Sequence, residues 1–301
     1  MGISRVSDAQ TFALLTERSG RLQVEIQTLE DQIATGKRLL HPDQDPLGAA
    51  DVIRHGANLA ALDQYADSAR FGTSVLGSED RLLEDARNLV VRAEQIATQQ
   101  ASSLNTDQRA AAREEVHGLL EALTAIGNTE FAGRRLFGGL ALDAPAPFAD
   151  PNAGGYTAAT AFTGSTQDFA LKIGSTATER VRLSTRGDQV LQDALVGLEA
   201  LETALASPTG DVTATLPGLA QGRNTLITER SSVGAREAQL LQRTTQVGGL
   251  ALSVQGALAR VQDADLVTVV TQLTQAQTAL QAVLAVGARI AQTSLVDLLR
   301  L

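Results

Sequence analysis

The residues whose types and spacing could do chemistry stand closest together in IATGKRLLHPDQDPLGAAD, residues 33–51. Gly36-Lys37-Arg38 could cradle a phosphate, and Asp43 with Asp45 could hold a hard cation. A phosphate loop needs glycine five residues before Gly36 and Ser or Thr after the lysine. Asp31 and Arg38 occupy those places. A calcium loop needs alternating carboxylates, then glycine, then a glutamate twelve residues from the first acid. Pro46 and Leu47 end that pattern directly after Asp45. A corner between two antiparallel helices fits better. Gly36 suits a helix C-terminus, Pro46 the first turn of the next helix, and Asp45 its N-cap. The corner motif Gly36, Lys37, Arg38, Asp45 and Pro46 is therefore expected to bind neither nucleotide nor metal.

The rest of the chain offers no clearer chemistry. His41, His55 and His117 have no metal-ligand spacing. There is no GxSxG elbow and no glycine-rich dinucleotide turn. Zero cysteines remove disulfides, thiolate metal sites and cysteine nucleophiles together. Asp143, Asp150, Asp168, Glu179 and Asp188 form no acid–base pair at a defined spacing. In SEDRLLEDAR, residues 78–87, the acids alternate with Arg81 and Arg87, which reads as a salt-bridged, exposed helix face. The expectation is a protein with no catalytic residue, no metal and no cofactor.

The elements that would carry these residues are mainly helical. Only nine of 301 residues are aromatic, and Ala and Leu abound, which favours long helices packed side by side. A formal charge of −9 argues against a nucleic-acid surface. MGISRVSDAQTFALL lacks the pattern of a cleaved signal peptide. The most apolar window, Leu266 to Ala288, carries four glutamines and four threonines, so membrane insertion is not expected.

Prolines stand at 42, 46, 145, 147, 151, 208 and 217, leaving 47–144 and 218–301 free of them. Leu15, Leu22 and Leu29 are seven apart. So are Leu62, Ala69, Leu76, Leu83, Val90 and Ala97, and again Leu219, Leu226, Val233, Leu240, Val247, Val254 and Val261. Sustained heptads predict supercoiled partner helices, and Arg223, Arg230 and Glu237 at the second position make the seam mixed. Between these arms lie six of the nine aromatics. Phe169, Leu171 and Ile173 alternate, as do Val181 and Leu183, predicting a β-hairpin across residues 174–178.

The predicted fold is mainly α with a small β insert. N- and C-terminal arms form a long antiparallel coiled-coil hairpin, with the β-containing part at its distal end, facing away from the arms. The expected segments are 1–46, an N-terminal helix and corner; 47–137, a helical arm; 138–188, the β-containing insert; 189–217, helix and loop; and 218–301, the C-terminal arm. From Gly248 to Ala288 only Arg260, Asp263 and Asp265 are charged, so this tract is expected to pack against further copies of the chain. The predicted self-association residues are Ile3, Val6, Phe12 and Leu15 in the first arm. In the last arm they are Val270, Leu273, Leu280, Leu284, Leu295, Leu298 and Leu299.

Three blocks in order resemble the flagellin superfamily. They are ATGKR with its acidic corner, then LNTDQRAAAREEVHGLLEALTAIGNTEFAGRRLFGG (104–139), then RVQDADLVTVVTQLTQAQTALQAVLAVGARIAQTSLVDLL (260–299). The second is similar to the family's asparagine-led helix followed by N-T-x-F-x-G, the third to its D-x-D ending with a short apolar tail. Asp45-Pro46 resembles the corner of the branch that joins hook to filament more than the Asp-Asp-Ala-Ala-Gly corner of filament flagellins, although Gln44 replaces the first acid of the usual pair. The resemblance implies an extracellular structural subunit of the bacterial flagellum, exported by its type III apparatus and self-assembling into a ring or tube. It further implies three partners: the other hook–filament junction protein, flagellin and a cytoplasmic export chaperone. A filament flagellin is the alternative within the family, and a cytoplasmic coiled-coil scaffold the alternative outside it.

Overall fold

The computed structural model describes residues 2–101, 105–140, 145–176 and 178–299. Side chains are described for residues 10, 13–101, 105–140, 145–176 and 178–290. The elements in order are α1 (Gly2–Thr35), α2 (Pro46–Gln100), α3 (Thr106–Gly127), β1 (Glu130–Phe131), β2 (Arg134–Arg135), β3 (Ala170–Lys172), β4 (Arg180–Arg182), α4 (Gly187–Val190), α5 (Gln192–Ala206), α6 (Leu216–Gln262) and α7 (Leu266–Leu299). They divide into two compact units, a terminal one (Met1–Ala61 with Ala251–Leu301) and a central one (Leu62–Leu250).

In the central unit the heptads become a packed seam. Ala69, Leu76, Leu83, Val90 and Ala97 of α2 are buried, as are Leu219, Leu226, Val233, Leu240 and Val247 of α6. Each buried leucine contributes about 1.5–3 kcal/mol relative to exposure. The polar second position of the α6 heptad is not wasted. Arg230 Nε donates to Asp80 Oδ1 at 2.8 Å, and its guanidinium also meets Glu84. Arg223 lies 3.3 Å from Glu94. Rising numbers on α2 thus meet falling numbers on α6, so the two helices run antiparallel.

Asn105 starts α3, its Oδ1 accepting from the Asp107 N–H at 3.0 Å. α3 packs on α5 through Val116, Leu120 and Leu123 against Leu195, Leu198 and Leu201, all buried. α5 in turn lies close to α6 at Gly222, where an added Cβ would stand 2.6 Å from the Ala194 Cα. His117 of α3 reaches Asn152 Oδ1 at 3.1 Å and Glu202 at 3.2 Å. The Asn152 contact, with help from Glu202 and Glu121, raises its pKa.

The sequence-predicted hairpin forms as β3–β4, antiparallel with Leu171 opposite Val181. A second hairpin, β1–β2, pairs Phe131 with Arg134. Its turn needs positive φ at Ala132 (50°) and Gly133 (75°), the mirror-image geometry that favours glycine. Asn128 anchors the returning chain by donating to the Phe148 carbonyl at 3.0 Å and accepting from the Phe148 N–H at 2.9 Å.

Two expectations need correction here. The insert does not face away from helices as a body of its own. Phe148 of the insert is buried in the same core cluster as Phe137, Leu120, Leu191 and Leu195, because a bundle otherwise built from Ala and Leu takes part of its aromatic volume from the insert. Residues 78–87 are also not uniformly exposed. Asp80, Glu84 and Arg87 are partly exposed ion-pairing residues, but Glu79 is completely buried. It lies on the inner side of α2, one residue away from the outward-turned Asp80.

In the terminal unit α1 runs antiparallel to α7. Leu29, Val269 and Ala276 form its small buried core, with Ile26, Ile33, Ala264 and Leu273 packed around them. The predicted C-terminal arm is not one helix. It breaks at residues 263–265, between α6 and α7. Among the described residues, no helix is long and apolar enough to cross a membrane.

Candidate self-association surface

The corner comes first because it fixes where α1, α2, α6 and α7 meet within the terminal unit. Gly36 leaves α1 with φ +69°, its N–H bonded to the Gln32 carbonyl at 2.9 Å. Ala264 N–H then donates to the Gly36 carbonyl at 2.9 Å, and Arg38 N–H to the Gln262 carbonyl at 2.7 Å. Lys37 pairs with Asp263 as an antiparallel bridge. The corner and the α6–α7 break are therefore stitched together by backbone. Arg38 adds a side-chain bond, donating to the Val261 carbonyl at 2.9 Å in the last turn of α6. A cation there suits the negative end of a helix.

Two aspartates start the two helices that leave this junction. Asp45 Oδ1 accepts from the Gly48 N–H at 2.9 Å, with Pro46 in the first turn of α2. That backbone bond, assisted by Arg38, lowers the Asp45 pKa. Asp265 accepts from the Thr268 hydroxyl at 2.7 Å and the Val267 N–H at 3.1 Å. The Thr268 hydroxyl is the main reason its pKa is also lowered. In this arrangement Arg38 and Asp45 are occupied by helix ends. Among the described residues, no group of three or more His, Asp or Glu side chains is placed to hold a metal ion.

Along α7 the inward positions follow a 3–4 spacing: Val269, Leu273, Ala276, Leu280, Val283, Gly287 and Ile290 are buried or half-buried. Leu273 and Leu280 thus belong to the side of α7 that meets α1. Leu15 lines a shallow groove with Val283 and Leu284. Val270 and Leu284 are 48% and 55% exposed, so they sit off the seam. The expected set therefore divides between two faces. The side chains of Ile3, Val6, Phe12, Leu295, Leu298 and Leu299 lie outside the described residues.

The apolar surface reaches beyond that set. Leu47 and Ile53 on the first turns of α2 are 82% and 71% exposed, and Val267 on α7 is 78% exposed. Leu39, Leu40, Pro42, Val52 and Ile53 line a groove beside the corner. No heptad pointed to Leu47 or Ile53. Leu47 stands alone between Pro46 and Gly48, and Val52-Ile53 is a two-residue apolar run, each too short to show a period.

The chain matches the bacterial flagellin N-terminal helical region over residues 8–141 and the bacterial flagellin C-terminal helical region over residues 218–299. The flagellar hook-associated protein 3 of Salmonella typhimurium is 26% identical over 282 residues, spanning 86% of this chain and 88% of that protein. The flagellin of the same organism is 26% identical over 134 residues, 44% of this chain but 27% of that protein. A flagellar hook-associated protein of Vibrio parahaemolyticus superposes with a TM-score of 0.65 at 16% identity, covering 73% of this chain and all of that one.

Proposed function

This chain belongs to the bacterial flagellin superfamily, and from that premise we propose that it is the structural subunit joining hook to filament in the extracellular flagellum. One observation carries the reading. Similarity to a hook-associated protein spans 86% of this chain and 88% of that protein, whereas similarity to a flagellin spans 44% of this chain and 27% of that protein.

In this reading the protein acts by packing and carries no catalysis. Within the terminal unit α1 and α7 form an antiparallel coiled-coil arm, and within the central unit α2 and α6 form an antiparallel helical hairpin. Residues 1 to about 35 and about 262 to 301, the outer parts of the N-terminal segment (1–46) and the C-terminal arm (218–301), are the assembly segments. The 47–137 arm, the insert (138–188) and the 189–217 segment make up most of the central unit, and removal of the insert should leave the terminal segments able to assemble. Val270 and Leu284, with Leu15 beside the groove, are the contacts to neighbouring copies in a ring or tube. Leu273 and Leu280 hold α7 on α1 so that those contacts are presented together. Burial of this surface by neighbours would stabilise the assembly by roughly 25 cal/mol per Å² of apolar area. Flagellin above, the other junction protein below and an export chaperone during type III export are the partners this role requires.

Deleting the gene tests the reading. Intact hooks without filaments, and flagellin shed into the medium, are expected. Loss of one filament species while others persist would make the protein a flagellin instead.

A further inference from the structure

One acid is buried in the core of the central unit. Glu79 on α2 is completely buried in the central unit, and no donor is aimed at either of its carboxylate oxygens. Thr185 and Arg182 face it from β4 and its continuation, and Glu229 and Arg236 from α6. Asp80, its neighbour on α2, is turned to Arg230 instead.

Those four residues already satisfy one another. Glu229 Oε1 accepts from the Thr185 hydroxyl at 3.0 Å, from Arg182 at 3.3 Å and from the Arg236 guanidinium. Arg236 also donates to the Arg182 carbonyl and to Thr185 Oγ1, each at 3.3 Å. Thr185 has one hydroxyl hydrogen, and it goes to Glu229. An ionised Glu79 would offer Thr185 only a second acceptor. A protonated Glu79 can donate to the remaining lone pair of Thr185, and it avoids an unpaired charge in the core.

We propose that Glu79 is a proton-operated latch. Protonated, it completes a Glu79–Thr185–Glu229 chain that fastens the β3–β4 hairpin to α2 and α6. Ionised, it competes with Glu229 for Thr185 and Arg236, and the hairpin loosens. Burial, with the Glu229 charge, pushes the Glu79 carboxyl up to about 7 against the pull of Arg236 and Arg182, so the latch works at mild pH. Arg182 lies in β4 and Thr185 three residues beyond it, so their displacement reaches the Leu171–Val181 pairing directly.

Amide hydrogen exchange of the full-length monomer at pH 6 and pH 8.5 tests this, after correction for intrinsic base catalysis. The reporters are the Ile173 N–H, bonded to the Glu179 carbonyl, and the Leu183 N–H, bonded to the Phe169 carbonyl. Their opening should rise roughly tenfold or more with pH in the wild type and stay level in Glu79→Gln. An equal rise in the variant, or none in the wild type, overturns the proposal. Should Glu79→Gln fail to fold, the carboxyl carbon-13 shift of Glu79 in the wild type decides. A midpoint near neutrality supports the latch, and one in the ordinary glutamate range rules it out.

Discussion

The terminal and central units draw on similar residue types and treat them differently. In the central unit, heptad residues from α2 and α6, the α3–α5 contact and the insert aromatics close over one another. Among the described residues of the terminal unit only Leu29, Val269 and Ala276 are buried apolar residues, while Leu14, Val24, Leu47, Ile53, Leu252, Val267, Val270 and Leu284 are exposed. Two helices placed side by side offer each apolar residue one neighbour, whereas four helices and an insert surround it. The difference teaches that a heptad fixes which side chains point inward on a helix, and the number of partners decides whether inward means buried. A thin pair with surplus apolar surface is what a subunit needs if its neighbours are to complete the core.

The comparison breaks most readily at Val270. Val270→Asp should abolish polymerisation, measured by sedimentation, because it places a charge in a contact that must lose its water. The central unit should unfold at the same denaturant concentration within about 0.5 kcal/mol, as expected for an exposed substitution. Assembly at the wild-type rate would remove α7 from the contact.

Core truncation sharpens it. Leu198→Ala on α5 should destabilise the monomer by about 2–5 kcal/mol, since Leu198 is fully buried. Leu29→Ala should leave that global transition almost unmoved and act on assembly instead. Equal losses from both in the monomer would mean that the terminal unit folds as firmly as the central one.

Acid groups separate the units by pH. Glu79 has its folded pKa raised from 4.5 to about 7 by burial. Its protonated form is therefore favoured in the folded state. The resulting stability is complete below pH 4.5 and is lost as pH rises through 7, by on the order of 3 kcal/mol. Urea titrations at pH 5 and pH 8 should show this loss in the wild type and not in Glu79→Gln. Asp45 and Asp265 have the opposite sign. Their lowered pKa values mean a contribution present near neutral pH and lost as pH falls through the folded value.

The smallest effects are at those caps. Asp45→Ala and Asp265→Ala should speed exchange of the Gly48 and Val267 amides respectively without shifting the main unfolding transition. A shift of that transition would show that the corner is part of the cooperative core.

Much of this was legible in the sequence. Leu76 and Leu83 on α2, and Leu226 and Leu240 on α6, follow from a seven-residue spacing that only a partner helix explains. Phe169, Leu171 and Val181 signalled β3–β4 by alternation. Other features depend on contacts between distant segments and have no local pattern. Glu79 looks like its ion-paired neighbours until α6 and β4 close over it. Phe148 reads as a loop residue until Asn128 draws it against α3. The α6–α7 break had a signal in Asp263-Ala264-Asp265, a cap sequence directly after the last heptad residue, Val261, where Thr268 and Gln275 fail to continue the register. Among the expected contact residues, Leu273 and Val270 could not be told apart by composition, because which side of α7 faces α1 depends on where α1 lies.

The central claim is that neighbouring copies supply the burial the terminal unit lacks. Hydrogen exchange on the soluble monomer and on the assembled form measures this directly. In the monomer, amides of residues 69–97 and 219–247 should be strongly protected, and those of residues 13–35 and 266–290 should exchange orders of magnitude faster. In the assembly the second group should approach the protection of the first. Full protection of residues 13–35 and 266–290 in a monomer free of oligomers would contradict the account.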